Sequence, residues 1–237
     1  MLKQLFEYVV ELRKPFMYEL DGRMYSDKRM EEVVKIPYAD SFTLTTLSSL
    51  VEYIKSNVDT MKGHMFVHVK SPTCVEVFSQ LDVDRKREKI VTVCASLPTI
   101  QTDTYIEREK FNIALQSKFV PNEDRDLLLR FVGTVEDGTV AEYGDDGVTQ
   151  KATVKTGIAS KGDAIVPNPV VLMPYRTFTE VGQPASAFVF RMKSDKYDGI
   201  TCAIYEADGG VWKNKAMENI KDYLKYELAG VEGYTII

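Results

Sequence analysis

The stretch Glu206–Ala216, EADGGVWKNKA, sets carboxylates, two glycines and two lysines where a strand gives way to a helix. Phosphate-binding loops use such parts at fixed spacing. GxxxxGK[ST] wraps backbone amides around phosphates and brings a hydroxyl to magnesium, and GxGxxG lets a pyrophosphate approach a helix N-terminus. Neither spacing occurs here. What remains is a helix start, with Asp208 or a glycine as cap and Gly209 and Gly210 turning the chain. Free amides there, with Lys213 beside them, are also the parts of an anion site. The helix start is the stronger reading.

The other candidates are weaker or more diffuse. His64 and His68 are the only histidines and share one face of an expected strand, with Cys74 as a third conceivable ligand. They match the helical zinc motif in spacing alone and lack its glutamate, so no metal and no cofactor is expected. No Ser or Cys sits in a GxSxG setting, which leaves nucleophilic hydrolysis without support. Asp145 and Asp146 precede a glycine in a turn-forming D-D-G, and Arg85, Lys86, Arg87 and Lys89 alternate with acids in a solvated hairpin tip. The least ordinary segment is MPYRTFTEVGQPASAFVFR. Its Tyr175, Arg176, Phe178, Gln183 and Arg191 stand among prolines beside an expected edge strand. Tyr and Arg there fit a subunit contact, an arginine fork fits a phosphate or carboxylate at a pocket rim, and an ordered loop packed on its own domain needs neither.

These residues need elements to position them. MLKQLFEYVVELRK reads as an amphipathic helix rather than a signal peptide, because Glu7 and Glu11 interrupt its apolar run and no small-residue cleavage site follows. FMYELDGRMYSD reads as a hairpin about Asp21-Gly22. FTLTTLSSLVEYIKSN carries Leu44, Leu47, Leu50, Val51 and Ile54 at helical spacing. HMFVHVK, CVEVFSQL and IVTVCASL read as strands, and YIEREKFNIALQSKF and NEDRDLLLRFVGTV as a helix pair broken at Pro121. From Gly147 the period becomes two. Pro167, Pro169 and Pro174 then demote IVPNPVVLMPYRTF to an edge strand or short pieces. SAFVFRMK and GITCAIYEA pair as a hairpin, a helix from about residue 211 buries Trp212, Ala216, Ile220, Tyr223, Leu224 and Leu228, and VEGYTII adds a closing strand. Grouped rather than alternating elements predict an α+β fold with mostly antiparallel sheet, as a single domain over 1–237 with a detachable helix–hairpin arm over 1–40.

Composition narrows the partners. The 237 residues are 44% hydrophobic and 27% charged, with a net charge of -5, which is ordinary for a globular protein. A mildly acidic chain argues against general nucleic-acid binding. No apolar run is long enough to span a membrane. Cys74, Cys94 and Cys202, without a CxxC pair, read as reduced cytosolic thiols.

The order of segments resembles the YfdQ-like phage and prophage proteins, a family without an assigned function. The resemblance runs from FTLTTLSSLVEYIKSN through FNIALQSKFVPNEDRDLLLRFVGTV to IVPNPVVLMPYRTF, SAFVFRMK and the last helix, roughly residues 41–228. It is one of pattern, with no diagnostic short motif. It implies a phage-encoded protein expressed in the bacterial host cytoplasm, with virion association left open, and it brings no catalytic residues. The leading expectation is a non-enzymatic phage accessory protein that self-associates into a homo-oligomer. The alternatives are a nucleotide-binding or nucleotide-sequestering anti-defence protein and an accessory factor in phage DNA replication or recombination. Tyr175, Arg176, Phe178, Arg191, Gly209, Gly210 and Lys213 are the ligand or interface candidates.

Overall fold

The computed structural model describes residues 2–11, 14–20, 23–29, 38–134, 140–145, 150–156, 159–160, 164–166, 168–195 and 199–237. The chain divides into two compact units, Met1–Ala39 and Asp40–Ile237. The first unit holds helix α1 (Leu2–Glu11) and the antiparallel hairpin β1 (Met17–Leu20) and β2 (Arg23–Ser26), in register Leu20 to Arg23. The Asp21-Gly22 turn itself lies outside the described residues.

The second unit is α+β, with two cores. One lies under a five-stranded sheet ordered β15-β4-β5-β6-β3. Its strands are β3 (Phe42–Leu44), β4 (Met65–Ser71), β5 (Cys74–Ser79), β6 (Lys89–Cys94) and β15 (Tyr234–Ile236), with helix α2 (Leu47–Ser56) between β3 and β4. Alternation sorts β4 to β6. Val67, Val75, Val77, Val91 and Val93 are fully buried against Leu47, Leu50 and Ile54 of α2 and against Ile220 and Leu224 further on. His64, Phe66, His68, Glu76 and Phe78 are left on the other face. The expected helix over FTLTTLSSLVEYIKSN is therefore shorter than its pattern. Phe42–Leu44 instead pairs in parallel with β6, where β-branched Val91 and Val93 supply the sheet, and Thr46 caps α2 by accepting the Ser49 amide at 3.2 Å.

The other core lies under the sheet β12-β13-β14-β7. Here β7 (Ile106–Glu107) runs into α3 (Arg108–Lys118), and α4 (Glu123–Thr134) follows with Glu123, Asp124 and Asp126 in its first turn. β8 (Val140–Asp145), β9 (Gln150–Thr156), β10 (Ala159–Ser160) and β11 (Ala164–Val166) form a small sheet of their own. Asp146 to Thr149, including Asp146 and Gly147 of the D-D-G turn, and Pro167 lie outside the described residues. The proline segment is broken into pieces as its prolines require, and β12 (Val170–Leu172) is an edge strand. β13 (Ser186–Asp195) and β14 (Gly199–Glu206) form the long hairpin, and α5 (Trp212–Glu227) crosses back to the first core. Phe111, Leu115, Leu128, Phe131, Phe188 and Phe190 fill the second core.

Two features close this unit. At the edge strand β12, the Val171 amide donates to Asp124 Oδ2 at 2.6 Å, and its carbonyl accepts from Asn122 Nδ2 at 2.7 Å. The start of α4 thus satisfies the groups an edge strand would offer a second chain. The segment after β12 is a clasp between the cores. Phe178 and Val181 belong to the first core while Leu172 and Phe188 belong to the second. Thr177 Oγ1 donates to Pro72 O at 2.6 Å, and Glu180 Oε1 accepts the Leu47 amide at 2.7 Å, placing a carboxylate at the positive end of α2. Gln183 accepts the Arg176 amide at 3.0 Å and donates to Phe178 O at 3.0 Å.

Candidate functional site

The two stretches singled out in the sequence meet. Tyr175 and Arg176, just past β12, and Trp212, at the start of α5, line one cleft of about 300 Å³ with Phe188, Glu206 and the segment around Pro98. Arg176 is 9% exposed. Its Nη1 donates to Glu206 Oε1 at 2.7 Å and its Nη2 to Ser186 Oγ. The Ser186 hydroxyl in turn donates to Asp208 Oδ2 at 2.5 Å, and Asp208 Oδ1 accepts the Gly210 amide at 3.0 Å. The guanidinium carbon lies 3.8 Å from the Trp212 ring centre and 5.7 Å from that of Phe188, within range of a desolvated cation–π contact.

Burial lowers the Arg176 pKa, and Glu206 and Asp208 oppose that shift; the guanidinium remains a cation. Burial raises the Asp208 carboxyl, but the Ser186 hydroxyl, the Gly210 amide and Arg176 outweigh it and hold the group below the usual carboxylate range.

The helix start resolves in the same network. Gly209 and Gly210 take φ of +62° and +81°, a consecutive left-handed pair that only glycine adopts freely. Val211 occupies the cap position of α5 without a side-chain bond, and Asp208, three residues before it, accepts the amide of Trp212, the first residue of the helix. It also accepts the Gly210 amide, and its other oxygen accepts the Ser186 hydroxyl. A carboxylate of the chain thus stands where a bound anion would have stood. Lys213 is exposed, with its ammonium 5.9 Å from the Trp212 ring centre.

The remaining candidates are placed apart from this network. Phe178, expected as a ligand or interface contact, is 1% exposed and packs in the first core. Arg191 is half-buried and donates to Phe190 O at 2.9 Å. His64 Nε2 lies 2.6 Å from Thr235 Oγ1, and His64 and His68 each rest edge-on against a phenylalanine, Phe66 and Phe78. Among the described residues no group of three or more His, Cys, Asp or Glu is placed to hold a metal ion. Sequence reading did not select Glu206 and Ser186, the partners that complete the arginine site. The signal that could have found them is the hairpin register, which sets Phe188 opposite Glu206 and so places the end of β14 beside the start of β13.

Chemically, the cation of the cleft is already neutralised. One cation faces two carboxylates, and its two terminal nitrogens are engaged. Arg176 Nε and Trp212 Nε1 have no hydrogen-bond partner. Such a site suits a small apolar or planar group carrying a neutral acceptor better than a phosphate.

The first unit presents a different surface. Leu2, Leu5, Phe6, Val9 and Val10, at helical spacing on one face of α1, are all exposed, and so are Met17, Leu20 and Met24 of the hairpin. α1 has no buried residue. Compared with family models, with curated proteins and with solved structures, this chain matches none. Among the described residues no helix is long and apolar enough to cross a membrane.

Proposed function

We propose that this chain is a non-enzymatic accessory protein that assembles into homo-oligomers, and that the arm of residues 1–39 joins the copies. The observation that carries the reading is the exposed apolar face of α1. A ten-residue helix and a two-stranded hairpin do not form stable structure alone in water, so this surface needs a partner. A second copy fits it. α1 carries Lys3 near its start and Glu7 and Glu11 toward its end, so antiparallel pairing of two copies sets Lys3 of one across from Glu11 of the other, as a two-fold contact requires. One lysine against two glutamates is the wrong balance for an anionic lipid surface.

Two further observations support a non-enzymatic role. Burial pushes the Cys202 thiol up to about 12, away from thiolate chemistry. Arg176 is held by its own carboxylates. The resemblance to YfdQ-like proteins supports a phage or prophage setting inside a bacterial host.

Light scattering on the full chain is expected to give a multiple of 26.9 kDa. Leu5→Asp with Val9→Asp is expected to return the monomer without lowering the thermal midpoint. A monomer at every concentration, or an oligomer indifferent to both substitutions, overturns the proposal.

The cleft favours a second reading, a small-ligand binding protein, because Arg176 and Trp212 line it and each holds a buried donor, Nε and Nε1, without a partner. A nucleotide that raised the thermal midpoint of the parent, with the rise lost in Trp212→Ala, would support it. No shift with any nucleotide at millimolar concentration would remove the nucleotide version of it.

A further inference from the structure

Cys74 opens β5 and Cys94 closes β6, and the register sets them directly opposite each other. The Ala95 amide donates to Thr73 O at 2.9 Å, so Thr73 and Ala95 are a hydrogen-bonded pair. In an antiparallel ladder the next pair, Cys74 with Cys94, is then a non-hydrogen-bonded one, whose Cα atoms stand about 4.5 Å apart with side chains closest. That separation lies inside the range a disulfide spans. Both side chains are on the sheet face away from the core, because Val75 and Val93 beside them point inward and are fully buried. The two thiols are within hydrogen-bonding reach of each other, and the Lys70 ammonium stands near both. Cys94 is exposed, Cys74 half-exposed and Cys202 buried.

We propose that Cys74 and Cys94 are a dithiol modification site that a low-molecular-weight disulfide oxidises to an intramolecular cross-strand bond. Cys94, the exposed member, gives up its proton and attacks one sulfur of the small disulfide. That S–S bond breaks, one small thiolate leaves and takes up a proton, and a mixed disulfide remains on Cys94. Cys74 then loses its proton and attacks the Cys94 sulfur, expelling the second small thiolate. Two protein thiols are oxidised to one disulfide, and one small disulfide is reduced to two thiols. Cys74 suits the resolving role. Burial raises its thiol, which leaves the first attack to the exposed Cys94, and the strand pairing holds it against the mixed disulfide. The proposal is independent of the oligomer reading.

The test is intact mass and peptide mapping of the native full chain after treatment with oxidised glutathione at pH 8. The expected product has lost two hydrogens, carries no glutathione, links Cys74 to Cys94 and leaves Cys202 reduced. Its thermal midpoint should be higher by roughly 5–10 °C, because the bond closes the β5–β6 loop. Cys74→Ser should trap glutathione on Cys94, since nothing remains to resolve it. Persistent glutathionylation of the parent chain, free thiols throughout, or a disulfide-linked dimer would each overturn the proposal.

Discussion

Among the described residues Arg176 and Arg87 both lie over aromatic rings, and of the two only Arg176 is built into the structure. Arg176 sits 3.8 Å from the centre of Trp212, buried, with Glu206 and Ser186 on its fork. Arg87 sits 4.9 Å from Phe66 and 5.3 Å from Phe78, exposed on the open face of the five-stranded sheet, with one bond of 2.9 Å to Ser79 O. The contact chemistry is the same. The difference lies in water. At Arg176 the guanidinium is buried while Glu206 stays partly open to water, and each partner satisfies the next, so removing the arginine leaves the others without their cation. At Arg87 water replaces whatever is removed.

The largest expected effect follows directly. Arg176→Ala should cost about 3 kcal/mol in denaturant unfolding, at the low end of a broken buried pair because Glu206 keeps some water. Arg176→Lys should recover less than half of that, since an ammonium cannot reproduce the fork or the stacking. A cost under about 1 kcal/mol for the alanine would mean the network is no stronger than a surface pair. Trp212→Ala comes next at about 2 kcal/mol, below the figure for a fully buried tryptophan because the ring is only half-buried.

How much of this was legible beforehand differs by region, and for physical reasons. Val75, Val77, Val91 and Val93 alternate in sequence because a one-sided sheet demands it, so β5 and β6 could be read directly. Phe42 to Leu44 continue the helical pattern of α2 without a break, and only the long-range pairing with β6 makes them strand. The arginine site was half legible. Tyr175, Arg176, Gly209, Gly210 and Lys213 were selected by residue type, but a cation's partners come from wherever the fold delivers them, here Ser186 and Glu206 at the two ends of a hairpin. Phe178 misled for the same reason, since a large aromatic beside prolines reads alike whether it plugs a core or rims a pocket. The edge at β12 was legible, but its closure by Asn122 and Asp124 was not, because a side-chain cap across 47 residues leaves no local signal.

The pH dependence separates the two arginines further. Asp208 titrates below its ordinary value when folded. Its contribution is therefore fully present above the unfolded pKa of about 3.9 and is lost as pH falls through the lower folded value. Acid unfolding of the parent should steepen below about pH 4, and Asp208→Asn should flatten that limb while lowering stability at neutral pH. A limb unchanged in Asp208→Asn would place the acid sensitivity elsewhere. Arg87→Ala should leave the limb untouched and cost about 0.5–1 kcal/mol, the range for an exposed cation over rings.

The smallest effect is expected at Lys213, and it decides how the helix start is read. Lys213 shares Trp212 with Arg176, but at 5.9 Å from the ring centre and from the solvent side. Its neighbour Gly210 already gives its amide to Asp208. If Asp208 is the anion of this helix start, Lys213 has no ligand to hold, and Lys213→Ala should move stability by no more than about 0.5 kcal/mol. Phosphate should then leave the thermal midpoint of both parent and variant unchanged. A ligand bound only by the native state raises stability by roughly 2.7 kcal/mol at a hundredfold excess over its dissociation constant, so even modest binding would register. A phosphate-dependent rise in the parent that disappears in Lys213→Ala would mean that Asp208 yields its place to an incoming anion, and the neutralised cleft would have to be redrawn as a switchable one.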